Sequence, residues 1–115
     1  MENKKKEVVL AAYDAYNARD AEAILTFVSD DVDWPDGDKR LHGRDALRQY
    51  WLNQWTGTRT HDTPTDVTEL SDGRIRVRLD QIVRDMDGAE ISRGTFEYFF
   101  ELRDDLITRL DIIKP

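Results

Sequence analysis

The chain has 115 residues, the size of one ordinary domain, so a second independent core is excluded and residues 1–115 are read as a single domain. Its 24 acidic and 17 basic residues leave a formal charge of −7, which repels polyanions and excludes nucleic acid as the expected partner. The absence of cysteine excludes disulfide frameworks, thiolate nucleophiles and cysteine-ligated metals.

Charged residues make up 36% of the chain, yet 39% is apolar and includes 3 Trp, 4 Tyr and 4 Phe, enough for a core. The first six residues are mostly polar and no 18-residue apolar run follows. A soluble, cytoplasmic protein with no membrane partner is therefore expected.

Apolar residues Val8, Val9, Ala12, Tyr13, Ala15 and Tyr16 recur at three- and four-residue spacing and predict a helix, with Asn3 as its N-cap. After a break at residues 17–20, Asp20 is placed to cap a second short helix carrying Ile24, Leu25, Phe27 and Val28. Val32 and Trp34 alternate with Asp33 as in a strand that ends at Pro35-Asp36-Gly37-Asp38, and Leu41 begins the return. A third helix is expected from Arg44 to Trp55, with Leu47, Tyr50, Trp51 and Gln54 on one side and Gly57 as its stop.

Asp72-Gly73, Asp87-Gly88 and Asp104-Asp105 are turn signals that divide the remainder into four antiparallel strands in meander order. One sheet face carries Ile75, Val77, Leu79, Val83, Phe96, Tyr98, Phe100 and Leu102. The other carries Arg76, Arg78, Asp80, Arg93, Glu97 and Glu101. The fold class is α+β, with three helices packed on one face of a curved, mostly antiparallel sheet.

The segments Ala15 to Leu25, Asp30 to Gly37 and His42 to Leu47, together with Phe100 to Arg109, resemble the SnoaL-like branch of the NTF2-like superfamily. That resemblance implies a cone-shaped α+β barrel with a deep pocket, often assembled as a homodimer. Steroid isomerases, polyketide cyclases, a dehydratase of fungal pigment synthesis, epoxide hydrolases and non-catalytic modules share it, so chemistry must be read from the site.

Asp36 falls where the resemblance places the isomerases' carboxylate base. Two residues after Trp34 on an extended segment, it would share that side chain's face. Either it is a desolvated proton carrier beside Trp34, or Pro35-Asp36-Gly37 is simply a turn. Tyr98 falls where isomerase relatives carry a protonated Asp that donates to the developing oxyanion, and a phenol can donate likewise. The alternative is a core tyrosine. The isomerases' oxyanion Tyr corresponds to Ala12, with Tyr13 and Tyr16 nearby.

The epoxide hydrolases' inward Asp-Arg-Asp set is missing, because Ile75, Val77, Leu79, Gln81 and Val83 take the inward positions unless a bulge reverses the parity. Gln81 is expected near the wet mouth, able to orient a ligand carbonyl or water. Tyr13, Tyr16, Phe27, Trp34, Trp51, Trp55, Phe96 and Phe100 are the aromatic candidates for lining a pocket for a small apolar molecule, against the alternative of ordinary core.

His42 is assigned a structural role and His61 an exposed one. The acidic run from Asp30 to Asp38 fails the calcium-loop register, because Asp36 stands at the glycine position and His42 at the twelfth. No metal or cofactor is expected. Ile82 and Phe99 among the charges of the outer sheet face predict a homodimer through that face. The sequence thus leaves two functions open: a cofactor-independent isomerase, cyclase or dehydratase with Asp36 and Tyr98 at its centre, or a non-catalytic ligand-binding or dimerisation module.

Overall fold

The computed structural model describes residues 4–113, so the expected cap Asn3 lies outside the described residues. Helix α1 (Lys4–Asn17) turns Val8, Val9, Ala12 and Tyr13 into the core, the stripe that their spacing predicts. It ends where the Asp20 amide donates to Ala15 O at 3.0 Å and the Arg19 amide to Tyr16 O at 2.9 Å. Arg19 holds φ 56° at this C-terminal turn, a position where glycine is the usual residue.

Asp20 caps α2 (Ala21–Leu25) by accepting the Ala23 amide at 3.1 Å. This helix is one turn of five residues, closed by the Thr26 hydroxyl on Ala23 O, so only two of the three expected helices are long. Strands β1 (Val28–Asp36) and β2 (Lys39–His42) form the first hairpin. Gly43 leads into α3 (Arg44–Gln54) with φ 93°, a backbone conformation that suits glycine, while its amide donates to Val32 O.

The predicted meander follows as β3 (Arg59–Glu69), β4 (Ile75–Arg84), β5 (Glu90–Arg103) and β6 (Leu106–Ile113). Strand β6 also pairs in parallel with β1, giving the order β2-β1-β6-β5-β4-β3. The sheet is curved but open, which corrects the expected barrel. Strand β2 has only four residues, and α3 against β1 and β2 with α1 against β3 and β4 fills the concave side that strand pairing would otherwise close.

Three extra residues bend the meander, one of them Ile91 of β5, skipped between the Val83–Ser92 and Arg84–Glu90 pairs. Pairing slips between Pro64 and Asp66 in β3 and between Ile107 and Arg109 in β6, leaving Thr65 and Thr108 unpaired. Each threonine hydroxyl donates across to a carbonyl, Thr65 to Arg78 O and Thr108 to Glu101 O, both at 3.1 Å.

Val9, Val28, Val32, Leu47, Ile75, Val77, Leu79 and Ile107 are sealed from solvent between helices and sheet. Burying such a side chain contributes roughly 1.5–3 kcal/mol. Arg76, Arg78 and Asp80 lie on the opposite face, so the parity expected for β4 holds. On that outer face the Arg74 guanidinium covers the Phe99 ring at 5.2 Å. Among the described residues, no helix is long and apolar enough to cross a membrane.

Candidate functional site

A cavity of about 240 Å³ lies between the concave face of the sheet and helices α1 and α3. Its apolar wall includes Ile24, Trp34, Trp51, Phe96 and Leu110. Trp34 meets Trp51 edge to face at 5.6 Å, which stiffens that wall. The polar wall is built from five elements: Tyr13 and Tyr16 on α1, Tyr50 and Gln54 on α3, Asp62 on β3, Gln81 on β4 and Tyr98 on β5.

Asp62 and Gln81 stand directly opposite each other in the β3–β4 ladder. Gln81 Nε2 donates to Asp62 Oδ1 at 3.0 Å and lies 3.4 Å from the Tyr98 hydroxyl. The Asp62 backbone is gripped from the other side. Asn17 Nδ2 donates to Asp62 O at 2.7 Å, and the Asp62 amide donates to Asn17 Oδ1 at 2.9 Å. Because β3 is an edge strand, this amide and carbonyl have no neighbouring strand, and the Asn17 side chain satisfies both.

Asp62 is 3% exposed, and among the described residues no cation lies within ion-pair distance of its carboxylate. Burial disfavours its charge and pushes the carboxyl from an ordinary 3.8 up to about 6, while the Gln81 hydrogen bond and the His61 side chain pull it back. The group therefore changes protonation close to neutral pH. Burial first, and then the charges around them, including Asp62, push the hydroxyls of Tyr16 and Tyr98 upward, so both remain protonated donors.

Tyr16 donates to Gln54 Oε1 at 3.1 Å. Tyr13 is different: its ring lies 6.2 Å from that of Tyr98, the residue is 5% exposed, and its hydroxyl has no hydrogen-bond partner among the described residues. Burial, then the neighbouring Tyr98 and Asp62, raises this hydroxyl too. The cavity thus presents a poised carboxyl group and an unused donor, and Asp62 is the only Asp, Glu, Lys, Arg or His among its described lining residues.

Seven of the expected residues line the cavity: Tyr13, Tyr16, Trp34, Trp51, Gln81, Phe96 and Tyr98. Gln81 is tied to the polar wall by its bonds to Asp62 and Tyr98. Phe100 forms the floor beneath the lining, packed under Tyr13, Trp34 and Tyr98 at 5.9–6.5 Å. Trp55 is a second layer stacked behind Trp51 at 6.4 Å, and Phe27 packs against the core where its carbonyl accepts the Ile107 amide. None of these three reaches the cavity surface.

Asp36 does not reach it either. It is the last residue of β1, paired with Lys39 across the turn, and it borders a separate shallow depression with Leu41, Ala46 and Gln49. Tyr50 and Gln54 line both hollows and so stand between Asp36 and the cavity. Asp36 and Tyr98 therefore do not converge on one point. The carboxyl beside Tyr98 is Asp62, which neither spacing nor resemblance singles out in the sequence.

His42 is exposed, 3.7 Å from Asp33, and His61 is exposed beside Asp62. Neither lines the cavity.

The comparisons agree with this architecture. A candidate polyketide cyclase from Xanthomonas campestris pv. campestris has a TM-score of 0.83 at 24% identity, over 95% of this chain and 88% of its own. An NTF2-like protein of unknown function from Burkholderia pseudomallei K96243 has a TM-score of 0.85 at 20% identity, over 99% and 92%. SalBIII, an epoxide hydrolase/cyclase-like enzyme of pyran ring formation in the polyether salinomycin, has a TM-score of 0.83 at 21% identity, over 97% and 91%.

At these identities the likeness concerns the fold. No curated protein matches the sequence. The SnoaL-like domain family matches residues 9–110, nearly the whole chain, and the chain therefore belongs to that family.

Proposed function

We propose that the protein is a cofactor-independent proton-transfer enzyme, of the isomerase, cyclase or dehydratase type, acting on a small, neutral, carbonyl-bearing molecule. The observation that carries this reading is Asp62: a residue 3% exposed, facing an aromatic cavity, whose carboxyl is pushed up to about 6 by burial. Such a group is balanced between taking and returning a proton at neutral pH.

In this mechanism Asp62 removes a proton from the carbon next to the carbonyl. The pair of the broken C–H bond forms the carbon–carbon double bond of an enolate, the carbonyl π pair moves to its oxygen, and the Tyr98 and Tyr13 hydroxyls hydrogen-bond the charge that develops there. Asp62 then returns the proton: to a second carbon in an isomerisation, to the oxygen left negative when the new ring bond forms in a cyclisation, or to the departing hydroxyl, which leaves as water, in a dehydration. A cavity of about 240 Å³ lies below the roughly 300–1,000 Å³ usual for drug-sized ligands, so a substrate of one or two rings is favoured. The reading also includes a homodimer through the outer sheet face, supported by Ile113, 51% exposed on the side that carries Phe99 and Ile82.

The test is a thermal-shift screen of neutral one- and two-ring ketones and lactones, repeated on Tyr13→Phe. A ligand of the native state raises the melting temperature. Because the Tyr13 hydroxyl has no hydrogen-bond partner among the described residues, the variant should melt no lower than the parent without ligand, yet bind the selected compound about tenfold more weakly. No stabilising compound, or equal affinity in the variant, would contradict the proposed pose. Binding without turnover would favour a non-catalytic ligand-binding module.

A further inference from the structure

The chain is strongly acidic, yet one surface depression is cationic. It measures about 320 Å³ and lies where the end of α1 meets the start of β3 and the end of β4, bordered by Asn17, Arg19, Arg59, His61, Arg84 and Asp85. It shares no lining residue with the cavity. Asn17 nevertheless borders it while gripping the Asp62 backbone, so the two hollows lie back to back.

The pairing of the arginines singles this depression out. Of the twelve in the chain, eight hold a carboxylate within 4.0 Å: Arg40, Arg44, Arg48, Arg74, Arg76, Arg93, Arg103 and Arg109. The other four, with no such partner among the described residues, are Arg19, Arg59, Arg78 and Arg84. Three of these four meet here.

Arg59 and Arg84 are moreover direct cross-strand partners, an arrangement of like charges that destabilises a sheet. Arg59 is steadied by donating to Trp55 O and Thr58 O, and Arg19 sits in the left-handed turn that ends α1. The carboxylate of Asp85 is engaged with the Asp87 and Ala89 amides at 2.9 and 3.0 Å, holding its own turn.

We infer that this depression is a binding site for a phosphoryl group, either free phosphate or the phosphate of a small monoester. Glu90 faces Arg84 from β5, but both its oxygens are held by Arg93, at 3.0 and 2.6 Å. With that pair set aside, three guanidinium groups and the Asp85 carboxylate leave two positive charges, which a phosphate dianion balances and a single carboxylate does not. Guanidinium forks match phosphate oxygens two at a time, and such charge-assisted bonds are roughly twice as strong as neutral ones. The bound anion would also relieve the Arg59–Arg84 repulsion. This inference is independent of the role given to Asp62.

The experiment is a titration of the ¹⁵N-labelled full chain with inorganic phosphate and, separately, with phenyl phosphate, at ionic strength held constant with chloride. Saturable amide shifts confined to residues 17–19, 59–61 and 84–88 are expected, weakened at least tenfold in Arg84→Gln. Arg19→Gln, changed in an exposed turn that does not depend on its side chain, should weaken binding as well. Tighter binding of phenyl phosphate identifies a monoester as the ligand, and equal binding identifies free phosphate. Shifts that never saturate, or that saturate equally in both variants, would overturn the assignment.

Discussion

Replacing Asp62 by Asn is expected to lower turnover of the compound selected by the thermal-shift screen by about 10²–10⁴-fold, the usual contribution of a positioned acid–base group. Asn keeps the shape of the side chain and can still accept the Gln81 bond through its amide oxygen, but it cannot carry a proton. The backbone grip of Asn17 is untouched, because it is made to the main chain of residue 62. Ligand affinity should therefore stay within a few fold of the parent. Asp36→Asn is the matching control and should keep its turnover, since Tyr50 and Gln54 separate that residue from the cavity. Steady-state kinetics on both variants decide the matter: loss in Asp36→Asn with retention in Asp62→Asn would transfer the role to Asp36.

The same substitution should make the protein more stable in neutral and alkaline buffer. The folded state raises the Asp62 carboxyl from 3.8 to about 6, so folding favours the protonated form. Below the lower value the group is protonated whether folded or unfolded, and its favourable contribution is complete. As the pH rises from about 4 to about 6, the unfolded chain releases the proton first, and folding loses up to about 1.4 kcal/mol per pH unit. Above about 6 the loss levels off at roughly 3 kcal/mol, the cost of holding an unpaired carboxylate out of water. Asp62→Asn removes this dependence. Its melting temperature should exceed the parent's by on the order of 10 °C at about pH 8, and the gap should close towards about pH 4. Parallel melting profiles for the two proteins would mean that Asp62 is not desolvated in the fold.

Much of this architecture was legible because it depends on local periodicity. Val8, Val9, Ala12 and Tyr13 mark the buried face of α1 by spacing alone, and Asp20 announces α2 through its capping chemistry. The alternation of Ile75, Val77 and Leu79 sets the inward face of β4, which β5 repeats with Phe96, Tyr98 and Phe100. The parallel pairing of β1 with β6 joins the two ends of the chain, and no local pattern encodes it.

Asp62 was hidden for a specific reason. Counting back from inward-facing Val67 in steps of two leads to Thr65, Thr63 and His61, which would leave Asp62 outside. The unpaired Thr65 reverses that parity, so Thr60 and Asp62 turn inward instead. A proline beside a threonine, in a polar stretch, was the one sequence signal of the bulge. Asp36 is the opposite case: it follows Trp34 by two residues on an extended strand, but that strand ends at Asp36, and it is Pro35, not Asp36, that joins Trp34 in lining the cavity.

The central claim is that Asp62 is a buried carboxyl poised near neutrality. Its most direct test is a ¹³C NMR titration of the side-chain carboxyl carbons, with the Asp62 resonance assigned by its absence from Asp62→Asn. The expected midpoint is about 6, well above the roughly 4 of an ordinary aspartate. A midpoint at the ordinary value would contradict the claim and remove Asp62 as the proton carrier.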